Sequence, residues 1–541
     1  MIYWNARTQC LLSVYKTTEL VQPLLFYLAT TMKSEWCLIS FIGLIMAKEH
    51  YDYAANQIVA FRDNISHPVG IWTTANGRKI NYKEAGSTLN KRLMSHDLFM
   101  EVMTKFNRER VPVRVAHAKG AGAAGYFEVT HDLNDICIAK VFSKVGKKTA
   151  VAARFSPILQ EIGGIDTSRD ARGFAVKFYT EEGNFDIVGL NMPVFLLQDP
   201  LYFPMFIRSR KKNPQTNLYD ANMFWDFVVR NPKTLYNTLY VFSDVGIPDG
   251  YRHMAGFSVH TYQVVNSKGE TYFVRFTFKP DQGIKNLNSS TAQYLAATEP
   301  DYAIKDLFNA ISAGNFPSWT AYVQVLNFYD IQCAGFDVFD VTKNLPEDKY
   351  PLRPLGKLVL NQNQVNFFAE IDQLAFCPNN LVPGILGAPD TLYEGRRFAY
   401  ADAQNYRLGK NYENIIVNKP FVERWTYNRD GRAPVKYNYG NVPNYYPNSY
   451  YGPVPYKEDH IVDLVEIFEG PGDDFIQPRE YYTHTLSSGE KARLINNIVD
   501  SLVGVTDPIL KDHSVKILKA VSLDLGERVY EGLMANQTRH Y

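Results

Sequence analysis

Apolar and polar side chains alternate through the middle of the chain, and this pattern predicts paired β-strands. The run 174–180 places its phenylalanines on one side, and 181–190 supplies a Gly-containing turn and a second alternating run. Residues 258–265 and 270–278, separated by a four-residue turn, repeat the arrangement. Period-two alternation around short turns indicates β-hairpins. Several hairpins in series predict an antiparallel barrel.

Helical spacing occurs on both sides of that region. The segment 95–106 has a helix-like pattern. Near the other end, Ser487 and Glu490 form a capping box ahead of an apolar helical face. The run 513–534 is predicted to be a second helix, so the chain should end in a small helical domain.

Residues 346–455 are rich in Pro, Asn, Gly and Tyr and have no long regular period. A connection of this length in a compact protein is usually functional or wraps another surface. We therefore expect an extended segment between the barrel and the C-terminal helices.

The composition favours a soluble globular protein, since 46% of the 541 residues are hydrophobic and the net charge is +1. This balance gives no whole-chain attraction for nucleic acid or for an anionic membrane. One local basic cluster is interpreted as a solvated surface run rather than a polyanion site; it comprises Arg208, Arg210, Lys211 and Lys212.

The five cysteines are scattered and never form a CxxC pair, which disfavours a zinc site or a disulfide framework. We interpret them as buried small apolar groups. They are Cys10, Cys37, Cys137, Cys333 and Cys377.

The first 50 residues carry two apolar stretches, 20–32 and 36–46. Each is shorter than the roughly 20 residues that cross a bilayer, and charged residues separate them, so stable membrane insertion is not expected. If translation began at Met32, residues 33–46 would have the pattern of a signal peptide. The alternative is that the start of the gene is wrongly assigned and that this segment has no function. The final residues 538–541 do not form an SKL-like peroxisomal signal.

The run 120–125 satisfies GxGxxG, the dinucleotide fingerprint. A dinucleotide loop follows a strand and opens a helix, whereas this run precedes the strand-like segment 126–130. We interpret it as a place of close backbone packing.

Two sequence blocks stand out, because residues 106–132 contain VRVAHAKGAG and 396–409 read RRFAYADAQNYRLG. Further blocks lie at 169–189, 242–254, 279–287, 316–325 and 353–363. Together, from about residue 66 to 533, these blocks resemble the haem-containing monofunctional catalases of the small-subunit, animal-like type.

That resemblance implies an α+β fold, a catalase-type eight-stranded antiparallel β-barrel with an N-terminal arm, a long wrapping segment and a C-terminal helical domain. The corresponding boundaries are 1–50 for an unmatched extension, 51–110 for the arm, 111–345 for the barrel haem domain, 346–470 for the wrapping segment with the proximal helix, and 471–541 for the helical domain.

The resemblance implies that Tyr400 is the proximal ligand of haem iron, since catalases hold their haem iron through a tyrosine. Arg396 lies four residues earlier, and residues four apart share a helical face. The guanidinium can therefore hydrogen-bond the Tyr400 oxygen and favour its phenolate form. His260 matches a histidine near the proximal haem face.

On the distal side, His117 matches the residue that takes a proton from peroxide and returns it to the outer oxygen. Ser156 matches the serine that orients this imidazole, and Asn191 the amide that holds peroxide over the iron. Asp170 matches an acidic residue of the substrate channel, and Phe203 an aromatic residue near the haem.

The two haem propionates need paired cations when they are buried. Three arginines match that role, and they can converge only if the barrel forms as predicted. They are Arg114, Arg154 and Arg407.

Four positions depart from the family pattern and should alter the shape and polarity of the pocket. Val113 replaces a glutamate, Leu190 and Met192 replace small polar residues beside Asn191, and Leu196 replaces a channel phenylalanine.

The NADPH site of many members is also altered, although Lys279 remains. Asn217 replaces a histidine, and Asn231 replaces an arginine, although Arg230 lies beside it. Residues 345–347 read Leu-Pro-Glu in place of Trp-Pro-His. Loss of a stacking ring and gain of a carboxylate both weaken nucleotide binding. We therefore predict weak NADPH binding or none.

The leading hypothesis is a haem b catalase that converts hydrogen peroxide to water and oxygen through a ferryl haem intermediate and assembles as a homotetramer. A haem peroxidase or organic-hydroperoxide enzyme of the same fold is the first alternative, and a non-enzymatic haem-binding protein is the second. Family resemblance favours the peroxisome, while the apolar N-terminal segment leaves secretion open.

Overall fold

The computed structural model describes residues 51–86, 93–432, 435–456, 462–466 and 472–537. The predictions made for the first 50 residues, including Cys10 and Cys37, and for 538–541 lie outside the described residues. The chain divides into two units, Met1–Ser66 and His67–Tyr541. In the first, the described residues contain one helix, α1 (Tyr53–Asp63), whose N-terminal turn is capped by Asp52.

The larger unit is built on one antiparallel sheet. Its strands within the described residues are β1 Ala121–Val129, β2 Lys148–Pro157, β3 Arg172–Thr180, β4 Gly183–Leu190, β5 Gly256–Phe257, β6 Tyr262–Val265, β7 Thr271–Pro280, β8 Ser318–Leu326, β9 Arg353–Gln362 and β10 Ile385–Gly387.

Eight of these strands close into a ring, which confirms the predicted barrel. Neighbours follow the order β7, β5, β4, β3, β2, β1, β9, β8, and β8 pairs again with β7. Strand β6 pairs with β7 outside this ring and carries β10 at its far edge.

Both predicted hairpins are confirmed, although the second is shorter than expected. In the β3–β4 hairpin Thr180 faces Gly183, whose φ of 125° suits glycine. In the β6–β7 hairpin the first strand begins only at Tyr262, because Val259 adopts a φ of 69° and turns the chain before it. A strand cannot continue through that left-handed conformation.

Strand β9 corrects the predicted boundary between the barrel and the wrapping segment. It lies after residue 345, yet it pairs with both β1 and β8 and completes the barrel. Its pattern was hidden because Leu358, Val359 and Leu360 are buried in succession. A strand covered on both faces does not alternate.

The barrel interior is packed with aromatic rings. Phe155 and Phe174 stand 5.1 Å apart between centroids, and Trp319 lies 5.6 Å from each. The glycine run packs closely, as predicted, and forms part of β1. A Cβ on Gly125 would lie 1.9 Å from the Val359 carbonyl oxygen, so only glycine fits between these strands.

The helices of the larger unit surround the barrel and form the C-terminal domain. Within the described residues they are α2 Asp97–Phe106, α3 Phe203–Arg210, α4 Ala221–Arg230, α5 Leu235–Phe242, α6 Ser289–Thr298, α7 Tyr302–Ser312, α8 Phe328–Gln332, α9 Thr391–Leu408, α10 Ile476–Glu480, α11 Ser488–Val503, α12 Pro508–Val521 and α13 Leu523–Gln537.

The Ser487 capping box is confirmed at the start of α11. The single helix predicted over 513–534 is wrong, because Ser522 is extended and separates α12 from α13. Apolar spacing continues through this break, so the pattern alone did not show it. These helices share a core with α4 and α5, where Trp225 and Leu239 are fully buried.

The interpretation of every cysteine as buried is also wrong. Cys137 and Cys377 are buried, but Cys333 is exposed. Among the described residues, no cluster of His, Cys, Asp or Glu is arranged to bind a metal ion. The described helices include none that is long and apolar enough to cross a membrane.

Candidate active site

Helix α9 positions the proximal residues. Asp390 caps its N-terminus by accepting from the Tyr393 N–H at 2.8 Å, and Gly409, with a φ of 95°, ends it. Arg396 and Tyr400 lie one turn apart on this helix, as predicted, and Arg396 Nη2 donates to the Tyr400 oxygen at 3.0 Å.

The contact between Arg396 and Tyr400 belongs to a longer hydrogen-bond chain. Arg396 Nη1 donates to His260 Nε2 at 2.7 Å, and His260 Nδ1 lies 2.8 Å from Asp390 Oδ2. Because a guanidinium can only donate, His260 Nε2 accepts and its Nδ1–H donates to Asp390. Burial lowers the pKa of His260, which agrees with this neutral form.

Burial opposes the charge on Arg396, yet its pKa is raised, because Tyr400 and Asp390 both favour the cation. Arg396 Nη2 also donates to the Val188 carbonyl at 2.8 Å, which ties the helix to β4. The orientation of the Arg396 guanidinium is therefore fixed by three partners, which are His260, Val188 and Tyr400.

His117 lies in the irregular segment before β1 with a φ of 60°. Its backbone N–H donates to Ile158 at 2.8 Å, and its Nδ1 lies 3.0 Å from Ser156 Oγ, as predicted. A Cβ on Gly173 would lie 2.9 Å from His117 Nδ1, so β3 approaches the imidazole closely. Burial, assisted by the positive charge of Arg154, lowers the His117 pKa to about 3. The imidazole is thus neutral and can accept a proton.

Asn191 follows β4 and is buried. Its Oδ1 accepts from the Arg172 N–H at 2.7 Å, and Nδ2 donates to the Val245 carbonyl at 3.1 Å. The amide orientation is therefore fixed by the backbone. One Nδ2–H remains beyond these two contacts, so the predicted role in holding peroxide stays a prediction.

The three predicted propionate-binding arginines converge. Burial lowers the pKa of Arg114, and the positive charges of Arg154 and Arg407 lower it further. Burial also lowers the Arg154 pKa to about 10. Arg114 and Arg407 both contact Asp372, at 3.3 and 3.6 Å. Arg154 Nε is buried without an acceptor among the described residues.

This cluster fits a cofactor that carries carboxylates. The buried Arg154 and Arg407 and the partly buried Arg114 lie near one aspartate, which leaves positive charge uncompensated, and buried cations require anionic partners. The Arg396 charge, on the proximal side, also acts on His117. The proximal and distal groups are therefore close enough for their charges to interact.

The remaining predicted residues are Phe203, Asp170 and the four altered positions. The ring of Phe203 stacks on Phe195 at 6.5 Å, and Phe195 in turn contacts the Arg396 guanidinium at 5.5 Å. Asp170 is buried and accepts from the Leu159 N–H at 2.7 Å. Three of the altered positions, Leu190, Met192 and Leu196, are buried in one apolar cluster, whereas Val113 is 48% exposed.

The surface interpretation of the basic cluster is wrong for Arg210. Arg208 and Lys212 are exposed, and Lys211, which is half-buried, donates from Nζ to the Val115 carbonyl at 2.7 Å. Arg210 Nε and Nη2 are inaccessible to solvent. The charged run does not show this, because the rings of Phe206 and Phe224 cover the Arg210 guanidinium at 4.4 and 4.3 Å only in the folded chain.

Sequence reasoning missed three residues that shape the site: Asp372 among the arginines, Gly173 beside His117, and Asp390. A signal existed only for Asp390, because an aspartate just ahead of a predicted helix is a capping signal. The other two depend on contacts between segments distant in the sequence.

Comparison with known proteins agrees with this geometry. The family model described as catalase matches residues 73–452, and the one described as catalase-related immune-responsive matches 469–533. The chain is 44% identical to a catalase of Drosophila melanogaster over 495 residues, which covers 89% of this chain and 98% of that protein. It is 47% identical to a catalase of Cavia porcellus over 469 residues, covering 85% and 89%.

A solved structure gives the same result for the fold. Catalase A from Saccharomyces cerevisiae superimposes with a TM-score of 0.81 at 40% identity, covering 86% of this chain and 99% of that one. The barrel, the converging arginines and these similarities together show that the chain belongs to the catalase family.

Proposed function

We propose that, in the catalase reaction on hydrogen peroxide, Tyr400 holds the iron of haem b, His117 transfers the proton, and Arg114, Arg154 and Arg407 bind the propionates. The observation that carries this assignment is the pairing of two preorganised hydrogen-bond sets, Arg396 to Tyr400 and Ser156 to His117. Bound haem supplies the redox chemistry of its iron.

On the distal side, His117 moves the proton between the two peroxide oxygens. This role requires the tautomer in which Nδ1–H donates to Ser156 Oγ, 3.0 Å away, because the Nε2 lone pair is then available to accept the proton. The lowered pKa keeps the imidazole neutral before each turnover and makes its conjugate acid a strong proton donor. One group therefore serves as base and then as acid.

On the proximal side, Arg396 fixes the position of the Tyr400 oxygen. Its guanidinium donates to that oxygen at 3.0 Å, and the neutral His260 behind it holds the guanidinium in place. Asp390 fixes the His260 tautomer and so completes the support of the ligand.

The deciding experiment measures oxygen release from hydrogen peroxide by purified haem-loaded protein, together with its absorption spectrum. Rapid release without an added electron donor, with the spectrum of high-spin tyrosinate-bound iron, is the expected result. Oxidation of an added donor faster than oxygen release would support the peroxidase alternative, to which the apolar cluster around Met192 points. Protein that binds haem without either activity would contradict the proposal.

The proposed cofactor set does not include tightly bound NADPH. Lys279 Nζ forms an ion pair with Glu347 at 3.2 Å. The positive charge that would bind the NADPH phosphates is therefore already paired with a carboxylate. Leu345, which offers no stacking ring, and Glu347 both line a pocket beside Tyr240.

Titration of the protein with NADPH should show weak binding or none. The Glu347→Gln variant should bind more tightly, because the change removes the carboxylate and frees Lys279. Tight, stoichiometric binding by the unaltered protein would overturn this part of the proposal.

We also propose a homotetramer. The segment after α9 exposes many aromatic side chains, including Trp425 at 53%, Tyr437 at 93% and Tyr450 at 69%. Large exposed apolar groups concentrated in one region indicate a protein interface. Native mass spectrometry should give four times the 61.8 kDa chain mass, whereas a monomer mass would contradict the assembly.

A further inference from the structure

Lys119 is a buried cation in the segment that carries His117. Its side chain is 3% exposed, and it lies two residues after the imidazole. Nζ donates to the carbonyls of Gly164 at 2.6 Å and Pro300 at 2.9 Å and forms an ion pair with Asp301 at 2.8 Å. These contacts match the three N–H donors of an ammonium group. The cost of burying the charge is therefore offset by a full set of partners.

Asp166 supplies a second carboxylate, and it joins Lys119 to helix α7. The Asp166 side chain has no exposed surface, and its Oδ1 lies 3.5 Å from Lys119 Nζ. Its Oδ2 accepts from the N–H groups of Ala303 and Ile304 at 3.0 and 3.1 Å, in the first turn of α7. Burial raises the Asp166 pKa, whereas Lys119 and the Ile304 N–H favour the charged form. Lys119 is thus bound to a part of the fold that is itself held by hydrogen bonds.

The backbone at His117 is strained. Its φ of 60° is a conformation that residues other than glycine rarely adopt, and such a conformation persists only where the surrounding structure holds it. The His117 N–H donates to the Ile158 carbonyl at 2.8 Å, and the His117 carbonyl accepts from Arg154 Nη2 at 2.9 Å. Ala118 has no polar side chain, so Lys119 is the first residue after His117 whose side chain can bind the segment to another part of the fold.

We propose that Lys119 is a positioning residue for His117, which holds the segment so that the imidazole stays where it can take the proton from peroxide. The ammonium binds the loop 164–166 and the turn before α7, which contain no residue of the proposed haem site. Loss of this contact should therefore leave haem bound. The inference rests on the proposed role of His117 as the base.

The test is the pH dependence of the first reaction with peroxide, which stopped-flow absorbance of the haem-loaded protein gives as a second-order rate constant. Hydrogen peroxide needs a base to remove its proton, whereas its anion does not. If the imidazole is displaced, the reaction depends on the small fraction of anion, which increases by about tenfold per pH unit. The unaltered protein should show no such rise from about pH 6 to pH 9, because the lowered pKa keeps His117 neutral throughout.

The Lys119→Met variant should react about 100-fold more slowly at neutral pH, the loss expected for a displacement of about 1 Å. Its rate constant should rise with pH, while haem retention stays complete. Hydrogen exchange of a peptide that spans residues 115–120 gives a readout independent of activity. This peptide should exchange faster in the variant, because the His117 N–H is held by its bond to Ile158.

Lys343→Met is the matched control. Lys343 is also buried and pairs with a carboxylate, Asp474 at 2.9 Å, near the start of α10. This variant should change neither the exchange of the 115–120 peptide nor the pH dependence. Asp301→Asn tests the same contact while keeping the buried groups, since the Asp301 side chain is 66% exposed. It should give the same pH trend with a loss of less than about tenfold.

Two results for Lys119→Met would overturn the inference. One is an unchanged rate constant. The other is a rate constant that is lower by the same factor at every pH, which would indicate loss of active protein rather than a displaced base. If this variant does not fold, an unchanged pH profile in Asp301→Asn overturns the inference instead. A strong rise with pH in the unaltered protein would contradict the proposed function, because His117 would then not act as the base.

Discussion

The proximal and distal halves of the site are held by different means. On the proximal side, side chains bind one another in a continuous series from Asp390 through His260 and Arg396 to Tyr400. On the distal side, the His117 imidazole has one side-chain partner among the described residues, Ser156, and there the Asn191 amide is held by backbone groups alone.

The two halves are held differently because their chemical roles differ. A ligand that must remain anionic needs a fixed cation and support behind it, which a series of side chains provides. A group that must gain and lose a proton needs a free nitrogen and a low pKa, which burial beside arginines provides. Changes on the proximal side should therefore affect haem binding, and changes on the distal side should affect turnover.

The largest expected effect is that of Tyr400→Phe, which removes the oxygen that Arg396 contacts. Haem affinity should fall by more than the about 10-fold to 100-fold loss that changes behind a metal ligand produce. Haem retention after gel filtration measures this directly. Tyr406→Phe, an exposed position on the same helix, is the control. Full haem retention in the Tyr400 variant would place the ligand elsewhere.

The distal counterpart is His117→Ala. Oxygen release should fall by about 10² to 10⁴, the usual contribution of a general acid–base group, while haem remains bound. The exposed His131→Ala is the matched control and should retain full activity. A His117 variant that loses haem and activity together would break the proposed division between the two halves.

A smaller effect is expected from Asp390→Asn. Asparagine still caps helix α9, so the substitution removes charge from His260 without removing the cap. The haem absorption spectrum should shift and oxygen release should fall by at most about 100-fold. Asp507→Asn, at the cap of α12, gives the control for a cap with no site contact. An unchanged spectrum would mean that the proximal series ends at Arg396.

The sequence predicted the local parts of this picture and failed where distant segments meet. Helix α9 was predicted through family resemblance, and on that helix the contact from Arg396 to Tyr400 follows from spacing, since residues four apart share a face. The barrel and the roles of His117 and Ser156 came through family resemblance. Gly173 and Asp372 could not be found, because their importance depends on which segments the fold brings together.

The same limit explains two wrong interpretations. Strand β9 lacks alternation because it is covered on both sides, so its membership of the barrel appears only from its pairing. Arg210 was taken as a surface residue because charge runs are usually solvated. Its burial depends on Phe206 and Phe224, which close around the guanidinium only in the folded chain.

The smallest expected effect concerns acid stability, and it tests whether His117 is buried in its neutral form. The His117 pKa is about 3 in the folded protein and 6.5 as the ordinary value. Below pH 6.5 the unfolded chain binds a proton that the folded chain does not, so stability falls as the pH decreases.

His117→Asn should make the free energy of unfolding less dependent on pH, because one titrating group is lost. The slope should decrease by at most about 1.4 kcal/mol per pH unit. Urea unfolding of the haem-loaded protein at pH 7.5 and pH 5.5 measures the change, with the exposed His131→Asn as the control. His260, whose pKa burial also lowers, should leave part of the pH dependence in place. An identical slope in the His117 variant and the control would mean that the folded and unfolded chains bind the His117 proton equally, so that folding does not lower the pKa of the imidazole.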